Sequence, residues 1–312
     1  MFFLIVVFAL VVGFSAGTIL VRRFFVSRPA PVAVHQLPEP VARFWSDFTA
    51  GREVIIAFTS GTYLITESGD LLRFRRGNPV GERGEPVQRD DAHIAALNST
   101  LAFHAGPLFY EDGFTGTGEV LAAYRLASTL TALGASVQVK RSRLVTINDL
   151  QTHDIIFLGS PFGNQVLGEM HLQQRFTFRL PPAGPQLWRG EIVDTQSPSK
   201  PAYGTERDPQ NQVIRADYAL FDVLPGPVHG RRIAVLAGLG TSGTDGAAEF
   251  ATSPDGLRQI LALPGAPRDK TGSPAFPPYF ECLLRVEAAK GLEAISTKFV
   301  DGNVVHPVVP QN

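Results

Sequence analysis

Cysteine is nearly absent: Cys282 is the only one in 312 residues. An intrachain disulfide and a cysteine-rich metal site are therefore excluded, and a single thiol carries no information about redox compartment. Net charge is nearly absent as well, at −1, which removes the electrostatic footprint of a general nucleic-acid binder. The seven histidines are scattered, with no H-x-x-H pair and no H-E-x-x-H frame. No metal site is expected from them. Ser160 lies outside any G-x-S-x-G frame, so it is not written as a nucleophile elbow. No lysine follows the glycines of Gly238–Gly246, so the phosphate loop of nucleoside triphosphatases is missing too. No cofactor is expected.

Charge is also missing from Met1–Val21, and there its absence is informative. About 20 apolar residues are what a helix needs to cross a bilayer. No basic residue precedes the run, the run is long, and Ser15-Ala16-Gly17 is a poor cleavage site, which favours an uncleaved anchor over a signal peptide. Residues 1–21 are therefore expected to span the cell's inner (plasma) membrane once. Arg22, Arg23 and Arg28 follow the span, and the positive-inside rule then favours a cytoplasmic globular domain. Residues 22–40 carry Pro29, Pro31, Pro38 and Pro40 and read as a proline-rich spacer. Residues 41–312 read as one α/β domain.

Within that domain Val41–Phe48 predicts a short helix with docking aromatics. The continuous apolar runs Val54–Thr59, Asp154–Gly159 and Arg232–Gly238 suit strands covered on both faces. Leu71–Asp91 reads as a solvated insertion loop, or else as an arginine-lined rim for an anion. Gly118–Leu133 is a helix by its apolar spacing, with Glu119 favouring its N-terminal dipole and Gly134 its stop. Val137–Lys140 is the next strand, and Asn148–Gln151 and Gly163–His171 are helical. Phe176–Leu180 and Gln186–Val193 are strands of a smaller sheet, and Asp194–Asn211 is a loop. Asp217–Leu224 is a strand joined to the next by the turn Pro225–Gly230. Gly243–Thr252 is the last core helix. Tyr279–Glu287 alternates and pairs with Leu292–Val300 as an antiparallel hairpin with one polar face. The expected fold is a flavodoxin-like or Rossmann-like, mostly parallel sheet with that antiparallel hairpin at its end.

Three loops then share the carboxyl edge, where open α/β sheets bind ligands. The first holds Ser60 and Gly61. The second is Gly159-Ser160-Pro161-Phe162-Gly163-Asn164, in which Ser160 and Asn164 either meet a ligand or cap the next helix. The third runs through Gly238, Gly240, Thr241, Ser242 and Gly243, matching the G-x-G-x-x-G fingerprint between a strand and a helix. No acid stands about 20 residues on to hold a ribose hydroxyl, because Gln259–Leu263 has none. The turn therefore reads as an anion or polar-ligand cradle, or a packing turn, and not as a dinucleotide site; Gly240 is its candidate for a positive φ. Glu111 and Asp112, in the loop before the main helix, and Glu249 are the candidate acid–base groups.

The order FWSDF, VIIAFTSG, DGFTGTGEVLAAYRLASTLTALG, DIIFLGSPFGN, RADYALFDVLPG and RRIAVLAGLGTSGTDGAAEFATSP resembles a domain of bacterial membrane-anchored proteins, from about Arg43 to Val300. Some of those proteins carry a winged-helix DNA-binding domain before the membrane helix. The present chain lacks one, so the resemblance implies no DNA binding here. Regulators of that layout place the distal domain outside the cytoplasm, against the charge count. The resemblance brings no catalytic residues. The leading expectation is a membrane-anchored module that senses a small-molecule or anionic ligand, or binds a partner. The alternatives are a hydrolase or transferase acting on a nucleotide or sugar-nucleotide, and a structural module without a working site.

Overall fold

The computed structural model describes residues 37–66, 71–74, 108–170, 172–180, 190–289 and 293–306. The expected membrane span Met1–Val21 and most of the spacer lie outside the described residues. No helix among the described residues is long and apolar enough to cross a membrane.

Helix α1 (Glu39–Thr49) opens with Glu39 and Pro40, both suited to a first turn. Val41, Phe44, Trp45 and Phe48 recur at helical spacing and are all buried. The Trp45 indole Nε1 donates to the Ala251 carbonyl at 2.9 Å. Strand β1 (Val54–Phe58) follows, then β2 (Gly61–Thr66), β3 (Leu71–Phe74) and β4 (Leu108–Phe114), which form a separate sheet in the order β3-β2-β4. Two expectations are corrected here. Leu71–Phe74 is a strand rather than the start of a loop, and Tyr110–Gly113 lies within β4, because pairing with β2 outweighs the local Glu-Asp-Gly turn signal.

Helix α2 (Thr117–Ala132) leads to β5 (Val137–Arg141), α3 (Ile147–Thr152) and β6 (Asp154–Leu158). Thr146 and Asp149 form a reciprocal capping box at the start of α3. Asn164 caps the short helix α4 (Gln165–Glu169) by accepting from the Leu167 N–H at 3.1 Å. Next come β7 (Phe176–Arg179), β8 (Glu191–Asp194) and the two-residue strands β9 (Tyr203–Gly204) and β10 (Glu206–Arg207), inside the stretch expected as a loop. The long strand β11 (Ile214–Pro225) and β12 (Arg232–Gly238) precede α5 (Thr241–Thr252) and α6 (Pro254–Leu261), the latter capped by Ser253. Strands β13 (Phe280–Ala288) and β14 (Ala294–Val304) complete the chain.

The main sheet has the order β14-β13-β11-β12-β6-β1-β5, with β10 also on β11. Only β12–β6, β6–β1 and β1–β5 are parallel. The pairs β10–β11, β11–β12, β11–β13 and β13–β14 are antiparallel. The expected flavodoxin-like or Rossmann-like, mostly parallel sheet is therefore overturned: the sheet is mostly antiparallel with a short parallel part. The physical reason is that a continuous apolar run reports burial on both faces, not strand direction. The short connection from Pro225 to Arg232 is a hairpin turn, far below the dozen residues a parallel crossover needs.

One face of the sheet carries α1, α2, α5 and α6 over Ile56, Leu158, Leu236, Phe221 and Phe280. Phe44 meets Phe221 edge-on at 5.8 Å, and Phe221 meets Phe280 at 5.1 Å. A buried aromatic of this kind contributes on the order of 3 kcal/mol. The opposite face carries α3 and α4 over Ile55, Phe157 and Val235 in the parallel half. In the antiparallel half the small sheet β7-β8-β9 covers it, packing Phe176 and Ile192 onto Leu220 and Leu283. The hairpin face expected to be polar is thus covered as well, and Glu281 is 2% exposed.

Candidate functional site

Helix α5 starts without a cap of its own, since Gly240 at its N-cap has no side chain. The cap comes from β11. Asp217, fully buried, turns its Oδ2 onto the N–H groups of Gly240 at 2.8 Å and Gly243 at 3.0 Å. Its Oδ1 accepts from the Tyr218 N–H at 3.0 Å and the Thr205 hydroxyl at 3.2 Å. Burial pushes this carboxyl above its ordinary value, while its hydrogen-bond donors pull it back. A carboxylate at a helix N-terminus is what an anion cradle is built to hold. Here the anion belongs to the chain. Gly243 is required by close approach, because a Cβ there would stand 2.6 Å from Asp217 Oδ2. Gly240 has φ −126°, ordinary extended backbone, so the turn does not need a positive φ at that position.

A second carboxylate fills the neighbouring crevice. Strand β1 leads to α2 on one face of the sheet and β6 leads to α4 on the other, so the chain diverges between their carboxyl ends. That divergence is where α/β sheets commonly admit a ligand. Glu119 of α2, 9% exposed, occupies it. Its Oε2 accepts from the Thr241 hydroxyl at 2.8 Å and its Oε1 from Thr59 at 3.4 Å. The Thr241 Oγ1 in turn accepts from the Gly118 N–H at 2.6 Å, so the first residue of α5 caps α2. Gly159 has φ +86°, and a Cβ there would lie 2.5 Å from the Thr59 methyl and 3.2 Å from Glu119 Oε1. Glu119 therefore joins the end of β1 at Thr59 to Thr241 of the glycine turn, with Gly159 close by.

The expected site residues sort accordingly. Thr241 and the turn Gly238–Gly243 stand in this network, and the Gly238 N–H donates to Thr244 at 3.1 Å. Ser60 follows β1, and Gly61 opens β2 opposite Phe114. The Ser160 main-chain carbonyl forms the turn into α4 by accepting from the Gly163 and Asn164 N–H groups, each at 3.0 Å. Asn164 takes the capping role. Among the described residues, the buried Ser242 Oγ and Asn164 Nδ2 have no hydrogen-bond partner. Glu111 and Asp112 sit on β4 in the separate sheet, with side chains outside those described. Glu249 lies in the third turn of α5, away from the turn that opens that helix.

The sequence pattern does not mark Asp217 as a site residue, and it marks Glu119 only by its charge against the α2 dipole. The available signal was chemical: a carboxylate inside the apolar run ADYALFDVL must be paired or neutral once that run is buried. Beside Asp217 lies an open depression of about 400 Å³ lined by Lys200, Tyr203, Glu206 and Tyr218. The two tyrosine rings are 5.3 Å apart, and the Tyr218 hydroxyl donates to Glu206 at 2.9 Å. Arg285 holds the Glu206 carboxyl below its ordinary range. No group of three or more His, Cys, Asp or Glu among the described residues is placed to hold a metal ion. The depression thus presents two tyrosine rings with Lys200 and Glu206 at its edge. Comparison of the chain with family models, with curated proteins and with solved structures finds no match.

Proposed function

We propose that the chain is a membrane-tethered recognition module, whose α/β domain binds a ligand or partner without transforming it. The observation that carries this reading is the Asp217 carboxylate seated on the Gly240 and Gly243 N–H groups. A nucleotide phosphate would need those same donors. Glu119 adds to it, because both of its oxygens are engaged by threonine hydroxyls in the crevice where a substrate would enter. The depression bounded by Lys200, Tyr203, Glu206 and Tyr218 is the recognition surface on this reading, and Met1–Val21 is the tether.

The test is titration of the detergent-solubilised full chain with ATP, NAD and inorganic phosphate, read by calorimetry and thermal shift. No saturable binding is expected. Asp217→Gly, which empties the cradle, should gain weak phosphate binding. Tight ATP or NAD binding by the unaltered chain would overturn the reading. The tether is checked separately, by retention of the chain in membranes through carbonate washing.

A further inference from the structure

Asp222 on β11 and Glu281 on β13 lie directly opposite one another, in register with the pairs Leu220↔Leu283 and Val223↔Phe280. They are 0% and 2% exposed. Two facing carboxylates in an apolar interior cannot both carry charge without a large penalty. Their surroundings divide the roles. Glu281 Oε1 accepts from the Arg175 N–H at 2.6 Å, its Oε2 accepts from Asn303 Nδ2 at 3.1 Å, and the Phe176 N–H also points at it. The Arg175 guanidinium lies close by, bound to Asp194 and Asp301. Asp222 has the Cys282 N–H at 3.1 Å and Gln174, and among the described residues no cation is bonded to it.

The Gln174 amide stands 2.6 Å from Asp222 Oδ2. That separation is short for an amide N–H donor and ordinary for an O–H···O bond. An amide turned over presents its oxygen in place of its nitrogen, and a protonated Asp222 would then donate to it. Burial, reinforced by the charge on Glu281, pushes the Asp222 carboxyl well above its ordinary value. Burial raises Glu281 too, against the pull of its donors.

Gln174 and Arg175 lead directly into β7, so this pair fastens the β7-β8-β9 layer to the sheet. We propose that Asp222 holds a proton in the closed protein and that this proton latches the β7-β8-β9 layer onto β11 and β13. The ionisable groups on this face are Glu281, Arg175, Asp194 and Asp301, with Lys200 beyond Asp194, while the Cys282 thiol lies on the opposite face. The layer also carries Tyr203, so the latch governs one wall of the depression. The inference stands apart from the recognition reading, since the latch does not depend on what the depression binds.

The sign follows from proton linkage. In the opened layer Asp222 meets water and ionises at its ordinary value; in the closed layer it keeps its proton to higher pH. Opening therefore releases a proton and becomes easier as pH rises, from the ordinary aspartate range up to the raised value, and is level above it.

Hydrogen–deuterium exchange of β7 and β8 in the full chain, corrected for intrinsic rate, reads this directly. The opening equilibrium should rise about tenfold per pH unit across that window. In Asp222→Asn the dependence should vanish over the neutral part of the window, leaving only what Glu281 contributes at its acidic end, with α2 and β1 exchanging as before. Infrared spectroscopy should show a protonated-carboxyl band at neutral pH that is lost in Asp222→Asn. Should that variant fail to fold, Glu281→Gln decides: without the facing charge the Asp222 carboxyl is raised less, so the pH-dependent window should end at a lower pH. A flat profile in the unaltered chain, an unchanged profile in the variants, or no carboxyl band at neutral pH would overturn the latch.

Discussion

Asp217 and Asp222 belong to the same strand, β11, and both are fully buried. They lie an odd number of residues apart and so face opposite sides of the sheet. Asp217 looks toward α5 and finds hydrogen-bond donors on both oxygens, three of them main-chain N–H groups. Asp222 looks toward the β7-β8-β9 layer and finds a second carboxyl. Burial therefore does not decide what a buried acid contributes. A carboxylate that completes a set of fixed donors stabilises the fold, whereas one that confronts its like is tolerated only by giving up its charge.

The largest expected effect is on the first acid. Asp217→Ala leaves buried N–H groups without partners and should cost about 3–5 kcal/mol in urea denaturation. Asp217→Asn, which turns an amide nitrogen toward those donors, should cost about 2 kcal/mol. An Asp217→Asn protein as stable as the parent would erase the contrast. Gly243→Ala comes next at about 2–3 kcal/mol, because its Cβ would stand 2.6 Å from Asp217 Oδ2 and 2.7 Å from the Gly238 Cα. Thr241→Ala removes the hydroxyl shared by Glu119 and the Gly118 N–H and should cost about 1–1.5 kcal/mol, measured by thermal unfolding. Asp222→Asn should run the other way, stabilising by about 1 kcal/mol at neutral pH. That gain shrinks as pH falls toward the ordinary aspartate range, since the unfolded parent is reprotonated there and unfolding no longer releases the Asp222 proton; a loss of stability at neutral pH would reverse the comparison. Gly240→Ala should change least, by a few tenths of a kcal/mol, given its φ of −126° and a nearest contact of 3.1 Å.

The sequence made some of this legible and hid the rest for physical reasons. Helix α2 was readable as a helix, but the face was not: of the stripe Val120, Leu121, Tyr124, Ala127 and Leu130 the first three are exposed, and the buried face runs through Ala122, Leu126, Thr129 and Leu130. The core face of the last hairpin was readable as well: Phe280, Cys282, Leu284 and Val286 are all buried on it. Strand direction was not readable, because VIIAF in the parallel half and ALFDVL in the antiparallel half carry the same pattern of two-sided burial. The glycine turn was correctly placed between a strand and a helix. Its occupant was invisible, since Asp217 stands 23 residues before Gly240 and only the folded hairpin brings them together.

That dependence gives the hairpin an internal proofreader. Ala219 pairs with Gly238 only when β11 and β12 align correctly, and Asp217 reaches α5 only from that alignment. Slipping β11 by one residue would turn Asp217 to the opposite face, together with every apolar side chain of the strand. Helix α5 would then begin uncapped against a misaligned sheet. Misalignment is thus penalised twice, once in the core and once at the helix start, and α5 can settle fully only after the hairpin has chosen its proper alignment.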